Sequence, residues 1–334
     1  MSDPFAALDA LPRVRLAHLP TPIEPLPRLS AHLGGAELWV KRDDQTGLAT
    51  GGNKTRKLEY LIAQAQQAGA DCVITAGAAQ SNHARQTAAA ASKVGLEAHL
   101  VLHALPSEPP VPIGNLLIDR LVGAVIHWTD EGAPYAQTIA RVAEELRAAG
   151  KRPYVIPYGG SNAWGLLGYV QAMREFAEQA RAVGHFDAHV FATSSGGTQA
   201  GLVLGAHLAA LPADCALIGV SVSDAADELV PRVVTLANAG AELLGSAWRT
   251  RAEAVQVNDR YLGAGYAVVN DADREAVRLA ARLEGLLVDP VYTGRALAGL
   301  IDLVRRGEFG RGGRVLFWHT GGAAALAAFA DVLL

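Results

Sequence analysis

The chain is poor in cysteine, with two residues of this type among 334, Cys72 and Cys215. Each lies inside an apolar run, 71–74 and 215–218. Two isolated thiols exclude a disulfide framework and a cysteine-rich metal centre. We expect both to be buried thiols in a reducing compartment.

The sequence also lacks an excess of basic charge and a long hydrophobic run. Its 29 lysines and arginines face 33 acidic residues, giving a formal net charge of -4, which indicates no nucleic-acid partner. No unbroken apolar stretch approaches membrane-spanning length, and residues 1–4 lack the pattern of a leader peptide. These absences predict a cytoplasmic protein without a membrane partner. The Pro-rich segment 105–112 is predicted to be a loop.

What the sequence does contain is a repeated alternation of short apolar runs and helical patterns. Strands joined by helices favour an α/β fold in which each sheet is mostly parallel and is flanked by helices on both faces. A chain of 334 residues allows two such domains. The predicted strands are 72–75, 99–102, 125–128, 154–157, 190–193, 217–222 and 315–318, with helices at 85–93 and 136–149 among those between them.

Lys54 is predicted at the start of a helix, behind the glycine-containing residues 50–53. A run that alternates like the end of a strand, 39–44, precedes it, and apolar residues with helical spacing follow over 58–62. The partial positive charge of a helix N-terminus favours the neutral amine there. A neutral amine is a nucleophile toward aldehydes. The alternative is an ordinary solvated surface lysine.

A nucleotide phosphate loop is another interpretation of the same segment, because Gly47, Gly52, Lys54 and Thr55 resemble the G-x-x-x-x-G-K-[ST] pattern. In that pattern the lysine follows the second glycine directly, whereas Asn53 stands between them here. The inserted residue turns the lysine away from the phosphates, and no convincing metal-binding aspartate accompanies the loop. An ATPase or GTPase is therefore disfavoured.

A phosphate-binding turn is predicted where a strand ends and a helix begins, at Ser194, Ser195, Gly196, Gly197 and Thr198. The glycines let the backbone approach an anion, the hydroxyls add donors, and the helix N-terminus offers free amides. The alternative is a plain glycine turn before a helix. The spacing is not that of a dinucleotide fold, and one such turn suits one phosphate. One phosphate and one nucleophilic lysine together indicate pyridoxal phosphate.

Histidine spacing raises a metal site as a further alternative. His99 and His103 are four residues apart, as are His185 and His189. Both pairs fall in strand-like stretches, where this spacing does not form the pair of ligands that it forms on a helix. We expect no bound metal.

These motifs resemble the pyridoxal-phosphate enzymes of the tryptophan synthase β-like fold, and within them the group that contains D-cysteine desulfhydrase and 1-aminocyclopropane-1-carboxylate (ACC) deaminase. The resemblance implies pyridoxal 5'-phosphate as cofactor, an amino acid as substrate and a homodimer. It also implies a large cofactor-binding domain, residues 1–50 and 165–334, and a small domain, residues 51–164. The stretches that carry it are LPTPIEPLPRLS (19–30), KRDD (41–44), GGNKTRKLEYL (51–61), QSNHARQTAAAA (80–91), PYVIPYGGSNAWGLLGYV (153–170), SSGGTQAGL (194–202) and VDPVYTGRALAGL (288–300).

The same resemblance implies roles around the cofactor. Lys54 would hold it as a Schiff base and then act as the base. Asn53 would hydrogen-bond the ring 3-oxygen, and residues 194–198 would bind the phosphate. Thr320, at the end of the last strand, would face the ring nitrogen as a neutral hydroxyl. Asn82 would adjoin the cofactor as well as the substrate.

Further roles are implied around the substrate. Ser81 and Asn82 would bind its carboxylate at a helix N-terminus, where Ser81 also fits a helix cap, and His83 is a further candidate contact. Tyr292 and Tyr266 match the two tyrosines near the substrate, where they are catalytic candidates with Lys54 and Ser81. The loop around Tyr266, GYAVVN, departs from the GYG-x-P of the family, so a different loop shape is expected there.

The reaction implied by the resemblance is α,β-elimination, with D-cysteine yielding pyruvate, ammonia and hydrogen sulfide. ACC deaminase carries glutamate and leucine where this chain has Thr293 and Thr320, which favours the desulfhydrase branch. Release of sulfite from cysteate is an alternative that needs a further cation, for which Arg85, His83 and Lys57 are candidates. ACC deamination and a non-catalytic amino-acid-binding protein are less favoured alternatives.

Overall fold

The computed structural model describes residues 3–103, 111–129 and 133–334. Most of the predicted Pro-rich loop, residues 105–110, lies outside these ranges. None of the helices in the described ranges has the length and apolar character needed to cross a bilayer.

The larger of two sheets contains six strands in the order β1-β2-β10-β7-β8-β9. Its strands run parallel except for β1, which pairs with β2 in the antiparallel sense. They are β1 (Ile23–Pro25), β2 (Glu37–Lys41), β7 (Ala188–Thr193), β8 (Ala216–Ser221), β9 (Gln256–Asn258) and β10 (Arg314–Trp318).

The smaller sheet has the order β5-β4-β3-β6 and is parallel throughout. Its strands are β3 (Cys72–Ala78), β4 (Glu97–His103), β5 (Val125–Trp128) and β6 (Pro153–Val155). The predicted pair of parallel sheets is thus confirmed. The domain bounds 50/51 and 164/165 stay a prediction, although every strand of the smaller sheet falls between them.

Helices connect these strands in the βα alternation that the apolar runs predict. The helix predicted from Arg85 to Lys93 is confirmed, and that predicted over 136–149 is shifted by one residue. The helices are α1 (Ala6–Asp9), α2 (Pro27–Leu33), α3 (Asn53–Gln67), α4 (Asn82–Lys93), α5 (Gly114–Leu121), α6 (Tyr135–Ala148), α7 (Leu167–Val183), α8 (Gly197–Leu208), α9 (Ala226–Leu243), α10 (Asp271–Glu284), α11 (Thr293–Arg305) and α12 (Ala330–Leu333).

Helices cover both faces of the larger sheet, because successive side chains of a strand point to opposite sides. On β10, Phe317 packs in one apolar cluster with residues of α2, α10 and α11, whereas its neighbour Trp318 packs in another with residues of α7 and α8. Close contact between α7 and α8 depends on Gly201, where an added Cβ would lie 2.3 Å from the backbone oxygen of Leu166. This packing fixes the start of α8 at the carboxyl end of β7.

Candidate active site

The predicted site residues at the starts of α3, α4 and α8 and after β10 surround one cleft of about 640 Å³, counted out to open solvent. The predicted site residues that line the cleft are Asn53, Lys54, Ser81, Asn82, His83, Ser194, Ser195, Gly196, Thr198, Tyr292 and Thr320. Gly197 and Tyr266 do not line it, but each bonds directly to a residue beside it.

Lys54 is the second residue of α3, as predicted, and its side chain is partly exposed to the cleft. Burial of the amine lowers the pKa of Lys54 to about 8. The expected neutral amine is therefore favoured mainly by burial rather than by the helix dipole. Asn53, the first residue of the helix, donates from its backbone N–H to Thr320 O (2.9 Å) and from Nδ2 to Thr198 Oγ1 (3.1 Å). These bonds tie the lysine to two other strand ends.

The start of α3 is fixed by a buried set of ion pairs that we call the Arg56 network. Arg56 donates bidentate hydrogen bonds to Asp43 and to Glu175, at 2.8 to 3.0 Å. Lys41 also pairs with Glu175, and Tyr169 Oη donates to Asp43 Oδ2 at 2.7 Å. Burial alone would raise the pKa of Glu175, but the charges of Arg56 and Lys41 lower it to about 2. Each buried charge here has an opposite charge beside it.

The predicted phosphate turn leads into α8, whose first residue is Gly197. Gly196 has φ of 82°, a left-handed conformation that favours glycine. An added Cβ at Gly197 would lie 2.5 Å from Ser161 Oγ and 2.9 Å from Lys57 Nζ. The Gly197 N–H points to the same Ser161 hydroxyl (3.2 Å), which also bonds Ser195 Oγ at 2.8 Å. The turn is thus lined by donors and leaves no space for a side chain.

Lys57 lies one helical turn after Lys54, with its amine against this turn. Its Nζ donates to Gly159 O (3.1 Å) and Ser161 Oγ (3.2 Å). Burial, followed by the charge of Lys54, holds the pKa of Lys57 well below its usual range, and no carboxylate counters either effect. A buried amine without a carboxylate partner beside free amides and hydroxyls matches the donor set of a phosphate site. With Lys54 available for an aldehyde, these residues fit pyridoxal phosphate.

At the start of α4, Ser81 caps the helix, since its Oγ accepts from Ala84 N–H at 3.1 Å. The alternative role as a cap is therefore confirmed, and it leaves the hydroxyl at the cleft. His83 Nε2 lies 2.8 Å from Thr75 Oγ1, whose own proton goes to Ile156 O (2.9 Å). Nε2 must then carry the ring proton. Burial and the two lysine charges hold the pKa of His83 well below its usual range, so the ring is neutral.

Tyr266 and Tyr292 form a hydroxyl pair with 2.5 Å between the oxygens and ring centroids 5.9 Å apart. Burial raises the pKa of Tyr292 well above its usual range, and burial also raises that of Tyr266. Both phenols are protonated at neutral pH. Ala267 has φ of 62°, so the backbone keeps a left-handed conformation at the place where the family pattern has glycine. The missing glycine does not keep Tyr266 from Tyr292.

Thr320 and Thr293 differ in a way that the sequence does not reveal. Thr320 lines the cleft. Thr293 is fully buried, donates from Oγ1 to Asp289 Oδ1 (2.8 Å) and lies 3.1 Å from Gly321 O. The Thr293 hydroxyl is therefore bonded within the protein, whereas Thr320 lies at the cleft.

Three of the four histidines considered as metal ligands bond to other side chains. His99 Nδ1 lies 3.0 Å from His127 Nε2, His103 bonds Thr129, and His189 accepts from Trp318 Nε1. Within residues 3–103, 111–129 and 133–334, no cluster of three or more potential ligands has the geometry of a metal site.

Several residues of the site have no role predicted from the sequence. Tyr158, Gly159, Ala192, Thr193 and Gly321 line the cleft, and Ser161 lies directly behind it. Lys57, considered in the sequence only as a partner for a sulfonate, lies beside Ser161. Residues 158–161 stand inside one of the stretches that carry the family resemblance, so a signal was present. The position of these residues in space depends on the path of the chain between the two sheets. Local periodicity does not predict that path.

Comparison with known proteins agrees with this arrangement. D-cysteine desulfhydrases of Salmonella schwarzengrund and Salmonella choleraesuis are each 46% identical over 329 residues, covering 98% of this chain and 98% of theirs. Among solved structures, an ACC deaminase homologue has a TM-score of 0.90 at 40% identity, covering 100% of this chain and 98% of its own. A pyridoxal 5'-phosphate-dependent aspartate racemase shares the fold alone, with a TM-score of 0.65 at 16% identity over 90% of each chain.

The match to a family confirms the assignment made from the sequence motifs. Residues 14–321 match the pyridoxal-phosphate dependent enzymes, and the relatives above cover the chain almost completely. The chain therefore belongs to the pyridoxal-phosphate dependent enzyme family, and pyridoxal phosphate is its cofactor.

Proposed function

We propose that this enzyme catalyses the α,β-elimination of D-cysteine, in which D-cysteine and water yield pyruvate, ammonia and hydrogen sulfide. The observation that carries the proposal is the placing of the Lys54 amine in one cleft with a phosphate turn and a helix N-terminus. The relatives named D-cysteine desulfhydrase support the choice of substrate.

Lys54 both holds the cofactor and moves the α-proton in this proposal. Pyridoxal phosphate, when bound, supplies the electron withdrawal that makes the α-carbon of an amino acid acidic. A pKa of about 8 lets the Lys54 amine take up and return a proton near neutral pH. Asn53 would hydrogen-bond the ring 3-oxygen, and Thr320 would place a neutral hydroxyl at the ring nitrogen. Residues 194–198 and Lys57 bind the phosphate.

The substrate carboxylate binds at the start of α4, at Ser81 and Asn82. Free backbone amides and the helix dipole favour an anion there. His83 contributes a neutral ring to this end of the cleft. Tyr292 and Tyr266 assist proton movement near the leaving group, and their shared hydrogen bond (2.5 Å) offers a route for a proton.

The surroundings of the three candidate sulfonate-binding residues favour sulfide release over sulfite release. His83 is neutral, and Lys57 is bonded behind the phosphate turn. Arg85 donates from its NH1 and NH2 groups to Asn115 Oδ1 and Gly51 O. None of them offers an unoccupied cation to a second anionic group in the cleft.

Opening of the ACC ring is disfavoured for a chemical reason. Expelling carbon needs strong electron withdrawal by the ring, whereas a thiolate leaves readily. A neutral hydroxyl at Thr320 would leave the ring nitrogen unprotonated, so the withdrawal would be weak. This supports elimination from cysteine over deamination of ACC.

A substrate panel tests the proposal. The purified holoenzyme is assayed with D-cysteine, L-cysteine, cysteate and ACC for pyruvate, sulfide, sulfite and 2-oxobutyrate. We expect D-cysteine to give equal amounts of pyruvate and sulfide, and ACC to give almost no 2-oxobutyrate. If cysteate is preferred over D-cysteine by about tenfold or more in kcat/KM, about 1.4 kcal/mol of transition-state binding, the substrate assignment fails and the elimination chemistry survives.

We propose further that the enzyme works as a homodimer in the cytoplasm, without a nucleic-acid partner. The absence of a basic excess supports the last point. Neither cysteine is in a disulfide, which suits a reducing compartment. Cys72 is buried as expected, whereas Cys215 is only partly buried. Size-exclusion chromatography with light scattering tests the dimer directly.

A further inference from the structure

Asn115, on α5, bonds to the start of α4 through its whole side chain. It is fully buried. Its Nδ2 donates to Gln80 O (2.7 Å) and to Asn82 Oδ1 (2.9 Å), and its Oδ1 accepts from Arg85 NH1 (3.0 Å). A loop and the first turn of α4 are thus connected to α5, 33 residues along the chain from Asn82.

The chemistry of these partners determines which atom of the Asn115 amide is the nitrogen and which is the oxygen. The backbone oxygen of Gln80 only accepts hydrogen bonds, so the atom 2.7 Å from it must be the nitrogen. The Arg85 guanidinium only donates, so the atom 3.0 Å from it must be the oxygen. Asn115 therefore has one possible orientation.

The orientation of Asn115 in turn fixes that of Asn82. Because Asn115 presents an N–H group, the Asn82 atom facing it must be the oxygen Oδ1. The Asn82 side chain lines the cleft, and its Nδ2 has no protein partner among the described residues. The amide therefore keeps its two donor hydrogens for a ligand in the cleft.

We propose that Asn115 is a positioning residue that holds Asn82 with its Nδ2 toward the substrate carboxylate. The inference rests on the proposed function, which assigns Asn82 to that carboxylate. Without Asn115, rotation of the Asn82 amide by half a turn would present Oδ1 to the anion, and two acceptors would face each other. Asn115 thus acts on the carboxylate through Asn82 and does not touch the substrate.

The test is Asn115→Asp, which keeps the size of the side chain and the bond from Arg85. It replaces the donor that faces Asn82 with an acceptor, so Asn82 is expected to turn its Nδ2 away from the substrate. The matched control is Asn238→Asp on α9, which makes the same change in an amide that bonds both backbone groups of Thr250 and does not line the cleft. Asn82→Ala removes the positioned group itself.

Two ligands without a β-leaving group separate carboxylate binding from general damage. D-alanine and ethylamine differ by the carboxylate, and the dissociation constant of each is measured from the change in visible absorbance of the holoenzyme. The readout is the ratio of the two constants. Melting temperatures of the holoenzymes, with and without D-alanine, give a second measurement that does not depend on turnover.

We expect the wild type and Asn238→Asp to prefer D-alanine strongly. Asn115→Asp and Asn82→Ala should each reduce this preference by about tenfold or more, the effect of one hydrogen bond to a charged group. Stabilisation by D-alanine should fall in parallel. An unchanged ratio in Asn115→Asp, beside a reduced one in Asn82→Ala, overturns the role of Asn115 and leaves the proposed function intact.

Two other outcomes also overturn the inference. If Asn82→Ala keeps the wild-type ratio, Asn82 does not bind the carboxylate and its orientation has no consequence. If the wild type shows no preference for D-alanine, the proposed substrate class fails as well. Equal weakening of D-alanine and ethylamine by Asn115→Asp identifies a purely structural role.

Discussion

Two groups of buried charge lie on neighbouring residues of α3, and they are built in opposite ways. In the Arg56 network, Arg56 bonds to Asp43 and to Glu175, and Lys41 also pairs with Glu175. In what we call the amine cluster, Lys54, Lys57 and His83, only positive or neutral groups meet. No carboxylate contributes to the pKa of Lys54 or Lys57.

The difference separates charges that stabilise the fold from charges that bind a ligand. A buried ion that loses its partner is strongly destabilising, so each charge of the Arg56 network depends on the others. Buried amines without a carboxylate partner instead lower the stability of the protein without cofactor, and a bound anion compensates their charge. Gly197 brings the backbone of the turn close to Lys57, because a Cβ added there would lie 2.9 Å from Lys57 Nζ.

The largest effect is expected for Lys54→Ala. Removing the amine that holds the cofactor and moves the proton should abolish the visible absorbance of the bound cofactor and lower kcat/KM by at least about 10³-fold. Absorbance spectra and pyruvate release measure both. The exposed Lys93→Ala is the control and should behave like the wild type. Retention of colour and turnover in Lys54→Ala would show that another residue holds the cofactor.

Among these variants, the largest loss in the free energy of unfolding is expected from breaking the Arg56 network. Glu175→Gln leaves Arg56 and Lys41 short of one negative charge in a buried site, with an expected loss of about 3–5 kcal/mol in the free energy of unfolding. Urea denaturation of the apoprotein measures it. Glu145→Gln, which breaks an exposed pair with Arg141, should cost less than about 1 kcal/mol. Similar values for the two variants would contradict the distinction between the groups.

The pH dependence of cofactor uptake tests the amine cluster without a mutation. Only the neutral Lys54 amine attacks the aldehyde, and its pKa of about 8 lies below the ordinary lysine value of 10.5. The neutral fraction of the amine therefore rises with pH and is half complete near pH 8. Mixing apoprotein with pyridoxal phosphate in a stopped-flow absorbance experiment should give a rate with this midpoint. A rate that still climbs steeply above pH 10 would assign an ordinary pKa to Lys54.

Local features of the sequence predict the helix starts at the site, but they do not predict which residues bond the buried groups. Lys54 and residues 194–198 were placed correctly because both follow strands and open helices, which are local features of periodicity and glycine spacing. Ser161, which bonds Lys57 and the Gly197 amide, was missed because it reaches the turn from 36 residues away. The partners of buried groups depend on packing between the two sheets, and no local pattern records them.

Lys57→Met tests the cation behind the phosphate turn. An apolar side chain of similar length removes a buried amine without a carboxylate partner, so the apoprotein should be no less stable than the wild type. The dissociation constant of pyridoxal phosphate should rise by about tenfold or more because a charge-assisted bond is lost. Thermal melts and equilibrium dialysis measure the two. The surface variant Lys151→Met is the control, and a destabilised apoprotein with unchanged affinity would contradict the assignment.

The smallest effects are expected from substitutions of Thr293 and Thr320. The hydroxyl of Thr293 is bonded within the protein, whereas that of Thr320 is available to a ligand. Thr293 Oγ1 accepts from Asp289 N–H and donates to the Asp289 carboxylate, whereas Thr320 lines the cleft. Valine has the shape of threonine without the hydroxyl, so Thr293→Val leaves buried partners unsatisfied and should cost about 1–3 kcal/mol of stability. Thr320→Val should change stability by less than about 0.5 kcal/mol and instead alter the absorbance of the bound cofactor and the rate with D-cysteine. Urea denaturation and holoenzyme spectra of the two variants separate these effects. Equal losses of stability would mean that both hydroxyls are structural, and Thr320 would lose its assignment as the partner of the ring nitrogen.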